Sequence, residues 1–203
     1  AQQGAEVREP KLVVGADVMS TIINPYDRNT FVLFGDGAGA VLLEPTRKGE
    51  KGIIDFVLRA DGSGGRHLYM PGGGSLHPTS HKTVDKKMHF VHQDGRIVFK
   101  LAVQGMVDVS TEVLARNNIP VSDVALFVPH QANIRIIDAV TKRLGLPPEK
   151  VYINIEKYGN TSSASVPLAL DEANREGRIK RGDHVVMVAF GGGLIWGATV
   201  VKW

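Results

Sequence analysis

Cysteine is missing from all 203 residues. Its absence excludes a disulfide framework, a thiolate-ligated metal and a cysteine nucleophile supplied by this chain. Long apolar runs are missing too: none approaches the ~18 residues that read as a membrane span. No secretory signal pattern opens the chain, but Ala1 does not read as a native start, so that absence carries little weight. Charge of one sign is scarce. Lys and Arg number 24 against 21 Asp and Glu, a formal +3, and so small an excess does not point to nucleic acid. Solenoid-type repeats are absent as well. What is there, 43% apolar and 22% charged residues, is ordinary for a globular protein with one or two compact units. A cytoplasmic protein fits this composition.

Strand-like and helix-like segments alternate along the chain. Residues 1–10 are polar and read as the end of a helix and a turn. Residues 11–14 read as a strand ending at Gly15. Residues 31–34 and 40–43 are apolar runs flanking Gly35-Asp36-Gly37-Ala38-Gly39. A dinucleotide-binding fingerprint would need those glycines to open a helix. Here they enter a second strand-like run closed by Glu44-Pro45, so a tight turn between two buried strands is expected. Residues 45–52 are charged and turn-rich and read as a boundary dividing 1–46 from 47–203. Residues 53–59 read as a strand and 61–83 as loop. His67, His77, His81, His89 and His92 gather in this neighbourhood. No two of them sit at helical spacing on a convincing helix, so no metal site is expected.

Residues 97–117 carry an amphipathic stripe of Val98, Leu101, Ala102, Met106, Val109, Val113 and Leu114, and read as a helix. Asn117-Asn118 ends it, and Pro120 blocks resumption. Residues 151–155 read as a strand and 162–176 as a helix with Gly177 as its cap. Residues 184–190 and 195–203 read as strands. The alternation places the chain in the α/β class.

Three polar loops stand out. Ala125-Leu126-Phe127-Val128 runs through Pro129-His130-Gln131-Ala132-Asn133 into a helical pattern of Ile136, Ile137, Val140 and Leu144, with Asn133 as N-cap. His130 thus lies in a strand-to-helix loop, where α/β folds place chemistry. The second loop runs from Tyr158 to Ser165, and the third is Phe190-Gly191-Gly192-Gly193. Each follows a strand-like run, and neighbouring strands would bring all three together. Basic residues collect nearby: Arg135, Lys142 and Arg143 on one helix, Arg175, Arg178, Lys180 and Arg181 later. Such clusters suit an acidic partner or a solvated surface.

These motifs, with Val13-Val14-Gly15-Ala16-Asp17 and Phe34-Gly35-Asp36-Gly37-Ala38-Gly39-Ala40 upstream and Trp196-Gly197 downstream, resemble β-ketoacyl-acyl-carrier-protein synthase III, the initiating condensing enzyme of type II fatty acid synthesis. The resemblance runs over nearly the whole chain. It implies a thiolase-like fold, a duplicated αβαβα arrangement in five layers, of which this chain would hold the end of the first half and all of the second. It implies His130 and Asn160 as side-chain donors to the enolate-like oxygen that forms when a malonyl thioester loses carbon dioxide. It implies the Gly192 N–H as one oxyanion-hole donor, Phe190 as a gate, Ala132 and Asn133 beside coenzyme A, and Arg135 and Lys100 as contacts for acyl carrier protein. Both basic residues are expected near the tunnel mouth, Lys100 in the first turn of its helix. The implied substrates are an acyl-CoA, acetyl-CoA foremost, and a malonyl carrier protein, with no further cofactor and a homodimeric enzyme.

The family nucleophile is a cysteine, which the family carries upstream of these motifs. The chain is therefore read as the C-terminal portion of a longer acyltransferase. The competing reading is a non-catalytic subunit or scaffold of the same fold, supported only by the missing cysteine.

Overall fold

A computed structural model describes residues 9–46 and 52–203. In chain order the elements are β1 (Lys11–Asp17), α1 (Arg28–Phe31), β2 (Gly37–Leu43), β3 (Gly52–Ala60), β4 (Leu68–Tyr69), α2 (His81–Asp85), β5 (His92–Gln93), α3 (Gly95–Arg116), β6 (Val124–Pro129), α4 (Ile134–Leu144), α5 (Ile155–Tyr158), α6 (Ser165–Arg175), β7 (His184–Gly191) and β8 (Ile195–Lys202). The helix expected over residues 1–10 lies mostly outside the described residues, as does most of the charged boundary at 45–52.

Strands β3, β8, β7 and β6 form one sheet in that order. β6 and β7 are parallel, joined by a crossover that carries α4, α5 and α6, while β7–β8 and β8–β3 are antiparallel. β7 is apolar on both faces because both faces are covered. Val186 and Val188 pack with α3 and α4 through Val98, Met106, Val109, Ile137 and Val140. Val185 turns the other way, joining Leu126 and Val128 against Ala169, Leu170 and Ala173 of α6. Beyond α6 lies the antiparallel pair β1–β2, in register from Lys11 opposite Leu43 to Asp17 opposite Gly37. Val41 packs onto the α6 cluster, and a Cβ at Gly39 would come within 2.9 Å of the Pro167 ring. The described residues therefore stack as helices, sheet, helix, sheet, four of the five layers implied by the resemblance.

Several helix ends fall where the sequence places them. The Asn133 side chain accepts the Arg135 N–H at 2.9 Å and opens α4, which Gly145 closes at φ 70°. Gly177 follows α6 at φ 70°. α3 begins earlier than expected, at Gly95, where Asp94 caps it. Leu101 of its expected stripe is 37% exposed, and Val103 is buried instead.

Other expectations are corrected. Residues 31–34 are not a buried strand. Asp27 caps the short helix α1 through the Asn29 N–H, and Phe31 and Val32 face outward at 54% and 72% exposure. The strand expected at 151–155 is reduced to one bridge between Val151 and Phe127, after which α5 begins. Residues 61–83 carry more order than a loop: a 3-10 segment at Gly62–His67, strand β4, which pairs with β5 further on, and the start of α2 with a Ser80/Thr83 capping box. The glycines at 35–39 do lead into a strand, β2, and not a helix, but no residue of β2 is fully buried and what precedes them is α1, so they do not form a turn between two buried strands.

Candidate active site

Parallel pairing sets the first part of the site. Because β6 and β7 run the same way, with Pro129 opposite Val188, their C-terminal ends share one sheet edge. His130 leaves β6 there, its backbone N–H donating to the Val188 carbonyl at 2.7 Å. The buried Gln131 pins the turn. Its amide donates to the Pro129 carbonyl at 2.7 Å and its Oε1 accepts the Asn154 N–H at 3.1 Å. The His130 ring is buried, and Nδ1 lies 2.5 Å from the Ser165 hydroxyl.

Burial lowers the His130 pKa from 6.5 to about 4, so the ring is neutral near pH 7. The unfolded chain then binds this proton while the folded chain does not, and stability falls as pH drops from 6.5 towards 4. The loss from this residue is at most ~3 kcal/mol at the acid end. Chemical denaturation at pH 7 and at pH 4.5 tests this. A His130→Asn variant should lose less stability between the two conditions than the parent protein, whereas identical losses would show that His130 titrates normally.

Asn160 reaches the same place by another route. The second loop follows the helical turn α5 rather than a strand. An isolated bridge sets it: Asn160 N–H donates to the Leu33 carbonyl at 2.8 Å, and Gly35 N–H donates to the Asn160 carbonyl at 3.0 Å. The side-chain Oδ1 accepts the Ser162 N–H at 2.9 Å, which turns the NH₂ group towards the cavity, where among the described residues it donates only to the Ala132 carbonyl at 3.4 Å. Glu172 of α6 braces α5 at both ends, accepting from the Asn154 amide at 2.8 Å and the Tyr158 hydroxyl at 2.5 Å. The Tyr158 hydrogen bond holds this carboxyl below its ordinary pKa.

The third loop is the tip of the β7–β8 hairpin. Leu194 and Asp61 exchange backbone hydrogen bonds at 2.9 and 2.8 Å, so the glycines are anchored to the end of β3. Phe190 is buried and stacks on Trp196, ring centroids 6.0 Å apart. Gly192 lies against β4, where a Cβ would sit 3.3 Å from the Leu68 carbonyl.

All three loops open into one cavity of about 1580 Å³, lined by His130, Ala132, Asn133, Asn160, Phe190 and Gly192 among others. Lys100 and Arg135 are exposed and do not line it, although their neighbours Phe99 and Ile136 do. Lys100 falls in the second turn of α3, not the first, because the helix starts at Gly95. Among the described residues no cluster of ligating side chains could hold a metal, and no helix is long and apolar enough to cross a membrane.

Two family models match the chain: 3-oxoacyl-[acyl-carrier-protein] synthase III over residues 5–62, and the C-terminal part of the same synthase over residues 114–203. The chain belongs to the 3-oxoacyl-[acyl-carrier-protein] synthase III family. It is 54% identical over 193 residues to the β-ketoacyl-[acyl-carrier-protein] synthase III of Koribacter versatilis, covering 95% of this chain and 58% of that protein. It is likewise 54% identical over 192 residues to the synthase of Caldanaerobacter subterraneus, covering 95% and 58%. Its fold superposes on the crystal structure of 3-oxoacyl-[acyl-carrier-protein] synthase III from Aquifex aeolicus with a TM-score of 0.86 at 42% identity, over 96% of this chain and 58% of that one. The chain thus spans a little under three fifths of the length of these relatives. The fold is the thiolase-like α/β fold.

Within this synthase III fold, the sequence motifs mark residues that line the cavity but not those that aim them. Ser165, buried under His130, reads in the sequence as the end of a polar loop and part of the 162–176 helix, with no place in the site. Asp17 enters the sequence reading only as the last residue of the Val13–Asp17 motif, yet it ends β1 and its carboxylate accepts the Ser163 N–H at 3.1 Å and the Ser163 hydroxyl at 2.5 Å, tying β1 to the Asn160 loop. The hydroxyl bond from Ser163 draws the Asp17 pKa down. A signal existed for Ser165, a polar residue between Ala164 and Val166 at the start of an apolar helix face.

Proposed function

We propose that this chain supplies the condensation chemistry of a 3-oxoacyl-acyl-carrier-protein synthase III whose nucleophilic cysteine lies outside these residues. The observation that carries the reading is the pairing of a neutral, buried imidazole and a pre-aimed amide at one cavity. When a malonyl thioester loses carbon dioxide, the electron pair of the broken C–C bond moves onto the thioester oxygen. Two neutral N–H donors, from His130 and Asn160, stabilise that charge without exchanging a proton. The carbanion carbon then attacks the acyl-cysteine thioester, and the new tetrahedral oxygen is held by backbone donors that include the Gly192 N–H. The cysteine thiolate leaves, and 3-oxoacyl carrier protein is the product. Ala132 and Asn133 flank the pantetheine arm, and Phe190 closes the apolar side over the nucleophile. On this reading the enzyme is a cytoplasmic homodimer that starts fatty acid synthesis from acetyl-CoA.

Incubation of the full-length protein with labelled acetyl-CoA and malonyl carrier protein tests the reading. It should yield labelled 3-oxobutyryl carrier protein, with one carbon dioxide released per condensation. Acyl transfer without carbon dioxide release would instead indicate a non-decarboxylating acyltransferase, and no turnover at all a scaffold.

Arg135 extends the reading to the carrier protein. It is exposed on the first turn of α4, two residues after Asn133, which lines the cavity. Exposed charges act mainly by steering an oppositely charged partner, and salt screens them beyond roughly 8–10 Å. Arg135→Glu should raise the KM for malonyl carrier protein and flatten its salt dependence, with a smaller effect on the acyl-CoA KM. Equal effects on both substrates would move Arg135 to a phosphate-binding role.

A further inference from the structure

We infer that Ser165 is a positioning residue that keeps the His130 proton on Nε2, the ring nitrogen that the proposed condensation needs as a donor. The inference rests on that reading for its purpose, but on geometry for its content.

Ser165, the first residue of α6, is 2% exposed, and its hydroxyl oxygen lies 2.5 Å from His130 Nδ1. A hydroxyl carries one proton, and a buried hydroxyl proton is rarely left without an acceptor. Among the described residues, the only other hydrogen bond of this hydroxyl is one that it accepts, from the Gln131 N–H at 3.3 Å. Its proton therefore has one destination, Nδ1. An imidazole nitrogen that accepts a hydrogen bond carries no proton, and a neutral ring has only one to place. That proton is on Nε2.

The backbone reinforces this direction. The Gln131 N–H points at the same oxygen and occupies it as acceptor, so a donating Nδ1–H would have to share it, and the Ser165 proton would then be stranded. The wrong tautomer would leave a buried O–H unpaired and would also turn a lone pair, rather than a proton, towards the developing oxyanion. The neutral state of the buried ring keeps the choice a tautomeric one near pH 7. α6 is itself fixed by Ala169, Leu170 and Ala173 against the sheet, so the serine sits on a rigid support.

Long-range ¹H–¹⁵N correlation spectra of the full-length protein labelled with ¹⁵N-histidine test this directly. His130, assigned by loss of its signals in His130→Ala, should show a pyrrole-like Nε2 and a pyridine-like Nδ1. A parent protein with the proton on Nδ1 would overturn the inference without any variant needing to fold. In Ser165→Ala the signals should move towards mixed tautomers. Malonyl decarboxylation should then fall about tenfold at unchanged KM, the scale of one lost hydrogen bond, with acyl transfer from acetyl-CoA retained. Ser165→Thr, which keeps the hydroxyl, should restore the Nε2–H signature. An unchanged tautomer in Ser165→Ala would overturn the assignment even if activity fell, because the loss would then come from packing. Failure of the functional reading would look different: the Nε2–H signature would be present with no carbon dioxide released from malonyl carrier protein.

Discussion

In the full-length enzyme, His130→Ala and Asn160→Ala should each lower condensation by a factor of about 10² to 10³, the cost typical of losing one preorganised oxyanion donor. Transfer of the acyl group from coenzyme A to the cysteine should survive in both. The asymmetry follows from where each charge forms. On the proposed mechanism, thiolate attack places its oxyanion against backbone donors, Gly192 on the hairpin tip among them, and needs neither side chain there. On the same proposal, decarboxylation places charge on a different oxygen, held by the His130 ring and the Asn160 NH₂ group, both of which line the cavity. The two variants should differ in severity. Removing Asn160 also frees the Ser162 N–H that its Oδ1 accepts, so the loop itself loosens. Radiolabelled acyl-enzyme formation and carbon dioxide release, measured separately, read the two steps. Parallel loss of both would show that the pair also activates the nucleophile.

The second large effect is expected at a residue that touches no substrate. Gly35 pairs with Asn160 through its backbone, and a Cβ there would overlap the Tyr158 carbonyl oxygen. That oxygen belongs to the backbone of the turn that leads into Asn160, and Glu172 braces the turn from behind. The clash cannot be relieved by rotating a flexible side chain. Gly35→Ala should cost about 1–3 kcal/mol of stability as an overpacking change. It should also cost condensation activity by about 10² if Asn160 is displaced by an ångström. Gly74→Ala, where a Cβ meets nothing within 4 Å, is the matched control. A Gly35→Ala enzyme with normal melting temperature and normal condensation would show that the bridge does not hold Asn160.

These two residues also show what the sequence carries and what it hides. His130 was legible because a strand, a proline and a helix N-cap follow one another within a few residues, so local rules placed it at a sheet edge. The apolar runs of β6 and β7 were legible for a similar reason, since strands covered on both faces are nearly continuous in hydrophobicity. Asn160 was found as a motif but placed wrongly in the fold. Residues 151–155 alternate as a strand does, yet α5 begins at Ile155, and the bridge to Phe34 takes over the pairing. No local rule anticipates a partner so distant in the chain. Residues 31–34 failed for the complementary reason: a short apolar run carries no period, and Asp27 as a cap decided for helix. Lys100 was misplaced by a turn because a glycine start at position 95 is a weak signal beside the apolar stripe.

The bridge between residues 33–35 and Asn160 bears on the order in which the molecule assembles. α3 and α4 can form from near neighbours, but Asn160 is placed only when the segment before β2 has met the segment after α5, and β3 finds β8 only across most of the chain. Closing such long loops is the slow part of folding, because chain entropy is lost before any contact repays it. The two proposed donors therefore come together late. His130 arrives with the β6–β7 crossover, and Asn160 waits for a second, longer closure. On refolding of the full-length protein, helical circular dichroism should return in an earlier phase than condensation activity, and simultaneous recovery would mean that the distant closure is already made in the first collapse. A compact, helix-rich chain in which His130 and Asn160 have not yet met is thus the state expected between those two phases.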